Sequence, residues 1–424
     1  MKKNNDIFEF AKDIIPYNRS VVSTEVLKTL KIIQKKIKKL KIIKVRSGSK
    51  IFDWKIPHEW KVISAKLIDK KNNEIVDYKK NNLHLVSHSI SFNKSLKLDE
   101  LKKKLYFIKK TPDAIPYRTT YYKKDWGICL SFNQYKKLKN QKYKIQINTK
   151  FKKGYLRYGE FFKKGKSKKE ILFNTNICHP ALANNEISGV VLLTFLSDYL
   201  STLSTNYSYR IVFVPETIGA LTFIKKNYNN LKKNVLFGFN CVCVGDEKKY
   251  SLLKSKFMDS NSEYLAIKAF KKLKKKFRTY SWLQRGSDER QYSSPLLDLD
   301  FSSLMRSKYA EYPEYHTSLD KLGSVVTKKG LKESLKLYQT LINLIEEEKF
   351  PEIRYIGEPF LSKRKIYPSL GGSIHPRNVR NILNYLSFCD GKSPTKKIES
   401  NCKISPSEGK RILNLIIKLK LVKI

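Results

Sequence analysis

The sequence predicts an α/β fold built on a largely parallel sheet, and two observations carry that expectation. Between residues 150 and 350, short apolar strand-like runs alternate with amphipathic helical ones, the order that strand–helix–strand units require. Acidic, amide and imidazole side chains cluster just after those runs, at what become the carboxyl ends of strands, where such sheets keep their functional groups.

Taken in order, the chain divides into four stretches. Residues 1–46 read as helical, with Leu27, Leu30, Ile33, Ile37 and Leu40 at helical spacing among lysines. Residues 47–145 read as an inserted β-rich module. WKVISAKLID alternates as a half-buried strand does, KKNNEI is a turn, and IVDYKK and NNLHLVSHSISF follow. The module also holds IFDWKIPHEW, TPDAIPYRTTYY and DWGICLSF. Residues 146–352 form the α/β core. Its strands are EILFNTNIC, YRIVFVP, VLFGFNCVCVGD and LDLDFSSLM. Its helices are GVVLLTFLSDYL, a segment from about Ile218 to Asn227, EYLAIKAFKKLKKK and LKESLKLYQTLINLIEEE. Residues 353–424 hold a Pro- and Gly-rich linker and three short helices with a helix-turn-helix rhythm.

Composition narrows the function classes. A chain of 424 residues that is 41% hydrophobic and 12% aromatic is long and apolar enough for several cores. The net charge of +48 invites a nucleic-acid reading. Only 14 of the 86 basic residues are Arg, however, and the lysines are spread along the whole chain. A phosphate-binding surface favours Arg and a localised stripe, so nucleic acid is not the expected partner. No two of the six cysteines form a C-x-x-C pair, and Cys178, Cys241 and Cys243 lie in apolar runs; this usage suits a reducing compartment. Asp6, Glu9 and Asp13 interrupt the N-terminal stretch, and no run reaches 18 uncharged apolar residues. The expectation is a cytoplasmic protein without a membrane span.

Four groups of polar residues stand out: Asn176–Gly189 (NICHPALANNEISG), Pro215–Gly219 (PETIG), Gly245–Asp246, and the pair GSDERQY and EYHTSLD. Oxygen and imidazole donors from separate strands, with a carboxylate to take a proton, are what a hydrolytic metal site needs. These segments, together with FDWKIPHEW and YPEYHTSLD, resemble the bacterial aminopeptidase-like proteins that carry an inserted β domain and a C-terminal winged-helix-like domain. The resemblance runs over nearly the whole chain. It implies a zinc-exopeptidase-like three-layer core, and zinc as cofactor, one or two ions in related proteins.

Residue by residue, the resemblance implies Glu216 as general base and Asp246 and His316 as metal ligands. His179 is a further candidate ligand. Asn176 and Asn185 match positions where related enzymes have a ligand His and a bridging Asp, and Thr217 stands where a second metal-binding Glu is common. An amide oxygen is neutral and a poor zinc ligand. Asp288, Glu289 and Arg290 are candidate substrate-binding residues, Arg290 for its bidentate fork. Each also has a plainer reading. Asp246, Glu216, Asn184, Asn185 and Glu186 can cap helices or turns, and Arg290 and Arg306 can pair with Asp288 or Glu311. His84 and His88 share one strand face without an acidic neighbour.

The resulting expectation is a metal-dependent hydrolase of peptide or other amide-bearing small substrates, impaired at the metal site. The alternative is a degenerate, non-catalytic binding or scaffold protein linked to surface polysaccharide synthesis. Self-association into a homo-oligomer stays open on the sequence.

Overall fold

The computed structural model describes residues 6–366 and 377–424, in two compact units, 1–340 and 341–424. Residues 367–376, part of the expected linker, lie outside the described residues.

Two helices open the first unit, α1 (Ile7–Ile14) and α2 (Thr24–Lys36). Asp6 caps α1 by accepting from the backbone N–H groups of Phe8 and Glu9. The helical reading fails at its end, because residues 41–46 form strand β1 (Lys41–Arg46). Ile42, Ile43 and Val45 are β-branched and pack better on a pleated surface than in a helix.

The hairpin β2 (Lys50–Ile51) and β3 (Trp54–Lys55) comes next. Then follow β4 (Glu59–Ile68), β5 (Glu74–Asp77), β6 (Phe92–Lys97), the short helix α3 (Leu98–Lys102), β7 (Leu105–Tyr106), β8 (Ile128–Cys129), α4 (Phe132–Lys136) and β9 (Lys142–Lys152). Four of these strands make an antiparallel sheet in the order β5-β4-β9-β6. Trp60, Leu67, Trp126, Tyr143, Ile145 and Ile147 fill its core.

The remaining elements are β10 (Tyr155–Lys163), β11 (Glu170–Asn176), α5 (Ser188–Thr202), β12 (Ser208–Val214), α6 (Ile218–Asn234), β13 (Val235–Asn240), β14 (Tyr250–Leu253), α7 (Asn261–Lys272), β15 (Phe277–Tyr280), α8 (Glu289–Tyr292), β16 (Phe301–Met305) and α9 (Lys328–Glu347). They build an eight-stranded sheet in the order β1-β10-β12-β11-β13-β16-β14-β15. Its centre, β12-β11-β13-β16, is parallel, and the pairs β1–β10, β10–β12 and β16–β14 are antiparallel. The expected run VLFGFNCVCVGD stops being a strand at Asn240, so Cys241 to Asp246 leave the sheet as a loop.

All seven residues of β11 are buried, and their side chains alternate between two covered faces. Leu172 joins Val212, Val214, Phe223 and Phe301 under α6. Phe173 faces the other way, with its ring 6.1 Å from that of Tyr338 of α9. Thr175 points with Phe173 toward α5, which gives three layers. Gly189 makes that contact fit: a Cβ there lies 2.2 Å from the Cys241 carbonyl oxygen and 2.3 Å from Thr175 Oγ1. Gly189→Ala is expected to cost about 3 kcal/mol of stability, because backbone has to move to admit the methyl; urea unfolding measures it.

The second unit holds α10 (Arg377–Ser387), α11 (Thr395–Asn401) and α12 (Pro406–Lys418). Ser405 caps α12 with Pro406 behind it. A two-stranded ladder pairs β17 (Glu352–Ile353) with β18 (Val422–Lys423). Ile382, Tyr385, Leu386, Ile398, Ile412 and Ile416 form a core of its own. Among the described residues, no helix is long and apolar enough to cross a membrane.

Candidate metal and catalytic site

Three segments converge beyond the carboxyl ends of β11 and β12. After Asn176 the chain runs through Cys178 and His179 into a π-helical turn (Ala183–Ile187) that leads into α5. After Val214 it runs through Glu216 and Thr217 into α6. The third segment, Tyr315–His316, crosses from the loop before α9. Cys178, His179, Glu216, Thr217 and His316 line one small cavity of about 90 Å³.

His179 is held by a buried chain of charges. Its Nδ1 lies 2.8 Å from Glu186 Oε2, the same oxygen that accepts the backbone N–H groups of Cys178 and His179. Glu186 Oε1 accepts from Arg19 Nε at 2.9 Å, and both side chains are fully buried. Cys178, His179 and Glu186 sit close enough to suggest a metal trio, yet the Glu186 oxygens are already occupied by these N–H donors. The trio is better described as a bracket that fixes the imidazole and turns Nε2 to the cavity. Nε2 is 3.7 Å from Glu216 Oε2.

His316 is presented differently. Its backbone has φ +54°, Tyr315 stacks on its ring at 3.9 Å, and its centroid is 5.2 Å from those of His179 and Tyr117. Its Nε2 is buried and has no hydrogen-bond partner among the described residues. Burial opposes protonation of His179, but the adjoining Cys178 sulfur and Glu186 carboxylate carry its pKa well above the ordinary range. Burial and the His179 charge hold His316 well below it.

Glu216 donates its backbone N–H to Cys178 Sγ at 3.2 Å. Burial raises its carboxyl pKa, against the pull of His179 and Arg290. The next residue, Thr217, has φ +64° and ψ −79°, with Ile218 N–H donating to the Glu216 carbonyl at 2.9 Å. This is a three-residue γ-turn of the rare positive-φ kind, strained for a β-branched residue. Two neighbours hold it: Asp288 Oδ1 accepts the Thr217 N–H at 2.8 Å, and Arg290 Nη2 donates to Thr217 Oγ1 at 3.2 Å. Asp288 is fully buried, and burial with the nearby Glu216 charge drives its pKa well up.

The structure brings together His179, Glu216 and His316, with Arg290 close by on Thr217. It does not bring Asp246 to them. The Asp246 carboxylate accepts from Asn184 Nδ2, Lys248 N–H, and the N–H and hydroxyl of Ser307, all at 2.9 Å, so it braces the loop beyond β13. Asn176 lies on the α6 face of β11 by alternation, where its Nδ2 meets Ser287 Oγ at 3.3 Å. Glu289 turns inward and accepts from Gly286, Ser287, Tyr309, Asn240 and Ser303. Asn185 is buried; its N–H donates to Asp320 Oδ2 at 3.0 Å, and its Nδ2 has no partner among the described residues.

Sequence reasoning missed Arg19, Glu186, and the aromatic wall supplied by the inserted module, Trp54, Tyr117, Tyr121 and Tyr122. His88, also in that wall, stacks on Trp60 at 5.3 Å, and burial pushes its pKa down to about 4. An unfolded His titrates near 6.5. Below that pH the unfolded chain takes up a proton that native His88 refuses, so stability present above about pH 6.5 is lost as pH falls to about 4. Over the whole window the loss amounts to about 3 kcal/mol. His88→Asn, which tolerates the φ of +66°, is expected to narrow the stability difference between pH 7 and pH 5 by about 2 kcal/mol in urea unfolding.

The chain has an aminopeptidase-like fold, with imidazoles and a carboxylate at the ends of its central strands. Residues 8–348 match the family model described as domain of unknown function DUF4910. The chain belongs to that family. It is 38% identical over 390 residues, 92% of this chain and 89% of the other, to a putative polysaccharide biosynthesis protein with aminopeptidase-like domain from Clostridium acetobutylicum. A crystal structure of a putative peptidase from the same organism superposes with TM-score 0.79 at 35% identity, covering 98% of this chain and 95% of that one. The zinc aminopeptidase BSAP from Bacillus subtilis shares the fold, with TM-score 0.60 at 12% identity over 80% of this chain and 92% of that one.

Proposed function

We propose that this chain is an amide hydrolase that works with a single zinc ion, held by His179 and His316 beside Glu216. The observation that carries this reading is the buried Nε2 of His316, without a partner among the described residues, in the cavity that His179 also lines. A buried imidazole nitrogen without a partner is costly unless something binds it. The two ring centroids lie 5.2 Å apart, and neutral imidazole is a common zinc ligand. The donor set suits one ion and not two, since Asn185 and Thr217 supply no charge and Asp246 is engaged elsewhere.

When bound, the ion lowers the pKa of a water and polarises a carbonyl. Glu216, with its raised pKa, takes the proton of the attacking water and hands it to the leaving nitrogen. Water oxygen bonds to the carbonyl carbon, the C–N bond breaks, and a carboxylic acid and an amine leave. Glu186 and Arg19 keep the His179 ring in place throughout.

The test is a panel of peptides, acylated amino acids and amide-bearing sugars, the last chosen for the relative's name, incubated with zinc and the purified chain. Turnover lost in His316→Ala, with the fold intact, supports the reading. Zinc bound without turnover across the panel favours the second reading, a binding or scaffold protein. The neutral side chains of Asn176, Asn185 and Thr217 speak for that second reading.

A further inference from the structure

Beside the cavity runs an apolar groove of about 400 Å³. Leu221, Ile224 and Tyr228 line its floor; at i, i+3 and i+7 they share one face of α6, which starts directly after Glu216 and Thr217. Phe52, Trp54 and Leu296 form its walls. Three features set this groove apart from ordinary exposed apolar surface.

First, it adjoins the catalytic cavity. Trp54 lines both, and its ring is 5.9 Å from that of Tyr122 in the cavity wall. Second, the aromatic at its rim is kept at a backbone cost. Phe52 turns the β2–β3 hairpin with φ +52° and is still 44% exposed. Gly or Asn relieves that strain, and strain retained at a rim points to use. Third, a cation stands beside both, reached through its neighbours. Arg290 is exposed and adjoins Gln291, which lines the groove. Its guanidinium makes one hydrogen bond, to Thr217 of the cavity, and no ion pair among the described residues. Four N–H donors are left for a ligand.

We infer that the groove and Arg290 form the leaving-group subsite, and that the substrate is the N-acyl derivative of an apolar amino acid, an acylamino acid or a dipeptide ending in such a residue. This rests on the hydrolase reading. The scissile carbonyl lies at Glu216, the amino acid's side chain enters the groove across Trp54, and its free carboxylate meets Arg290. Hydrolysis adds water across the C–N bond and releases the acyl group as a carboxylic acid and the amino acid as its free amine.

Binding can be measured without catalysis, by calorimetric titration of the full-length Glu216→Gln protein. The probes are N-acetyl-L-phenylalanine, N-acetylglycine and N-acetyl-L-phenylalaninamide. The first is expected to bind at least about tenfold more tightly than the second, for the buried ring, and about tenfold more tightly than the third, for the carboxylate. Phe52→Asn and Leu296→Asp are expected to erase the first difference while the protein stays folded, and Arg290→Gln the second. Equal affinities for all three probes, or preferences that survive these substitutions, overturn the inference. If the preference holds and the parent protein cleaves no amide, the subsite stands and the hydrolase reading falls. If amides are cleaved without regard to side chain or carboxylate, the hydrolase reading stands and the subsite falls.

Discussion

Glu216→Gln lowers kcat on any amide the protein cleaves by about 10²–10⁴-fold and leaves zinc binding in place. The magnitude is that of losing a positioned general base. The substitution keeps the shape of the side chain, its contact with His179, and the γ-turn that aims it, because that turn is fixed by the Thr217 backbone and Asp288. The split between kcat and zinc content is the informative readout. Loss of zinc with loss of activity makes Glu216 a ligand. Unchanged kcat removes it from the chemistry.

The second large effect concerns the bracket behind His179. Glu186→Gln is expected to weaken zinc binding about 10–100-fold, the usual consequence of removing the carboxylate that orients a ligand imidazole. It also strips the fully buried Arg19 of its counter-charge, so a loss of about 3–5 kcal/mol in stability accompanies it. Arg19→Met added to Glu186→Gln is expected to restore much of the stability, because the buried cation is gone, but none of the zinc affinity. Urea unfolding and a competitive chelator titration separate the two effects. A double variant that regains both shows that Glu186 acts on stability alone.

Part of this site was legible in the sequence. CHPALANNEISG, PETIG and EYHTSLD announce polar residues after apolar runs, and His179, Glu216 and His316 do meet. Asp246 carries the same signature and goes elsewhere, because a carboxylate after a strand reads the same whether it faces a cavity or four hydrogen-bond donors. Asn176 is the last residue of β11, and strand alternation places it on the α6 face, against Ser287. Glu186 sat in the sequence as a helix-cap residue. Its partner Arg19 is 167 positions away, and no local pattern links two such residues. The aromatic wall comes from the inserted module, whose short strands have no periodicity that reveals what they face. The same holds for β1, whose lysine-rich surroundings continue the composition of α2.

The central claim is that one zinc ion sits between His179 and His316, and metal content tests it most directly. The protein is loaded with zinc, dialysed free of excess, and assayed for zinc per chain. The account predicts one zinc in the parent, none in His179→Ala or His316→Ala, and one in Asp246→Asn. A folded parent that holds no zinc, zinc kept by both histidine variants, or zinc lost only in Asp246→Asn contradicts it.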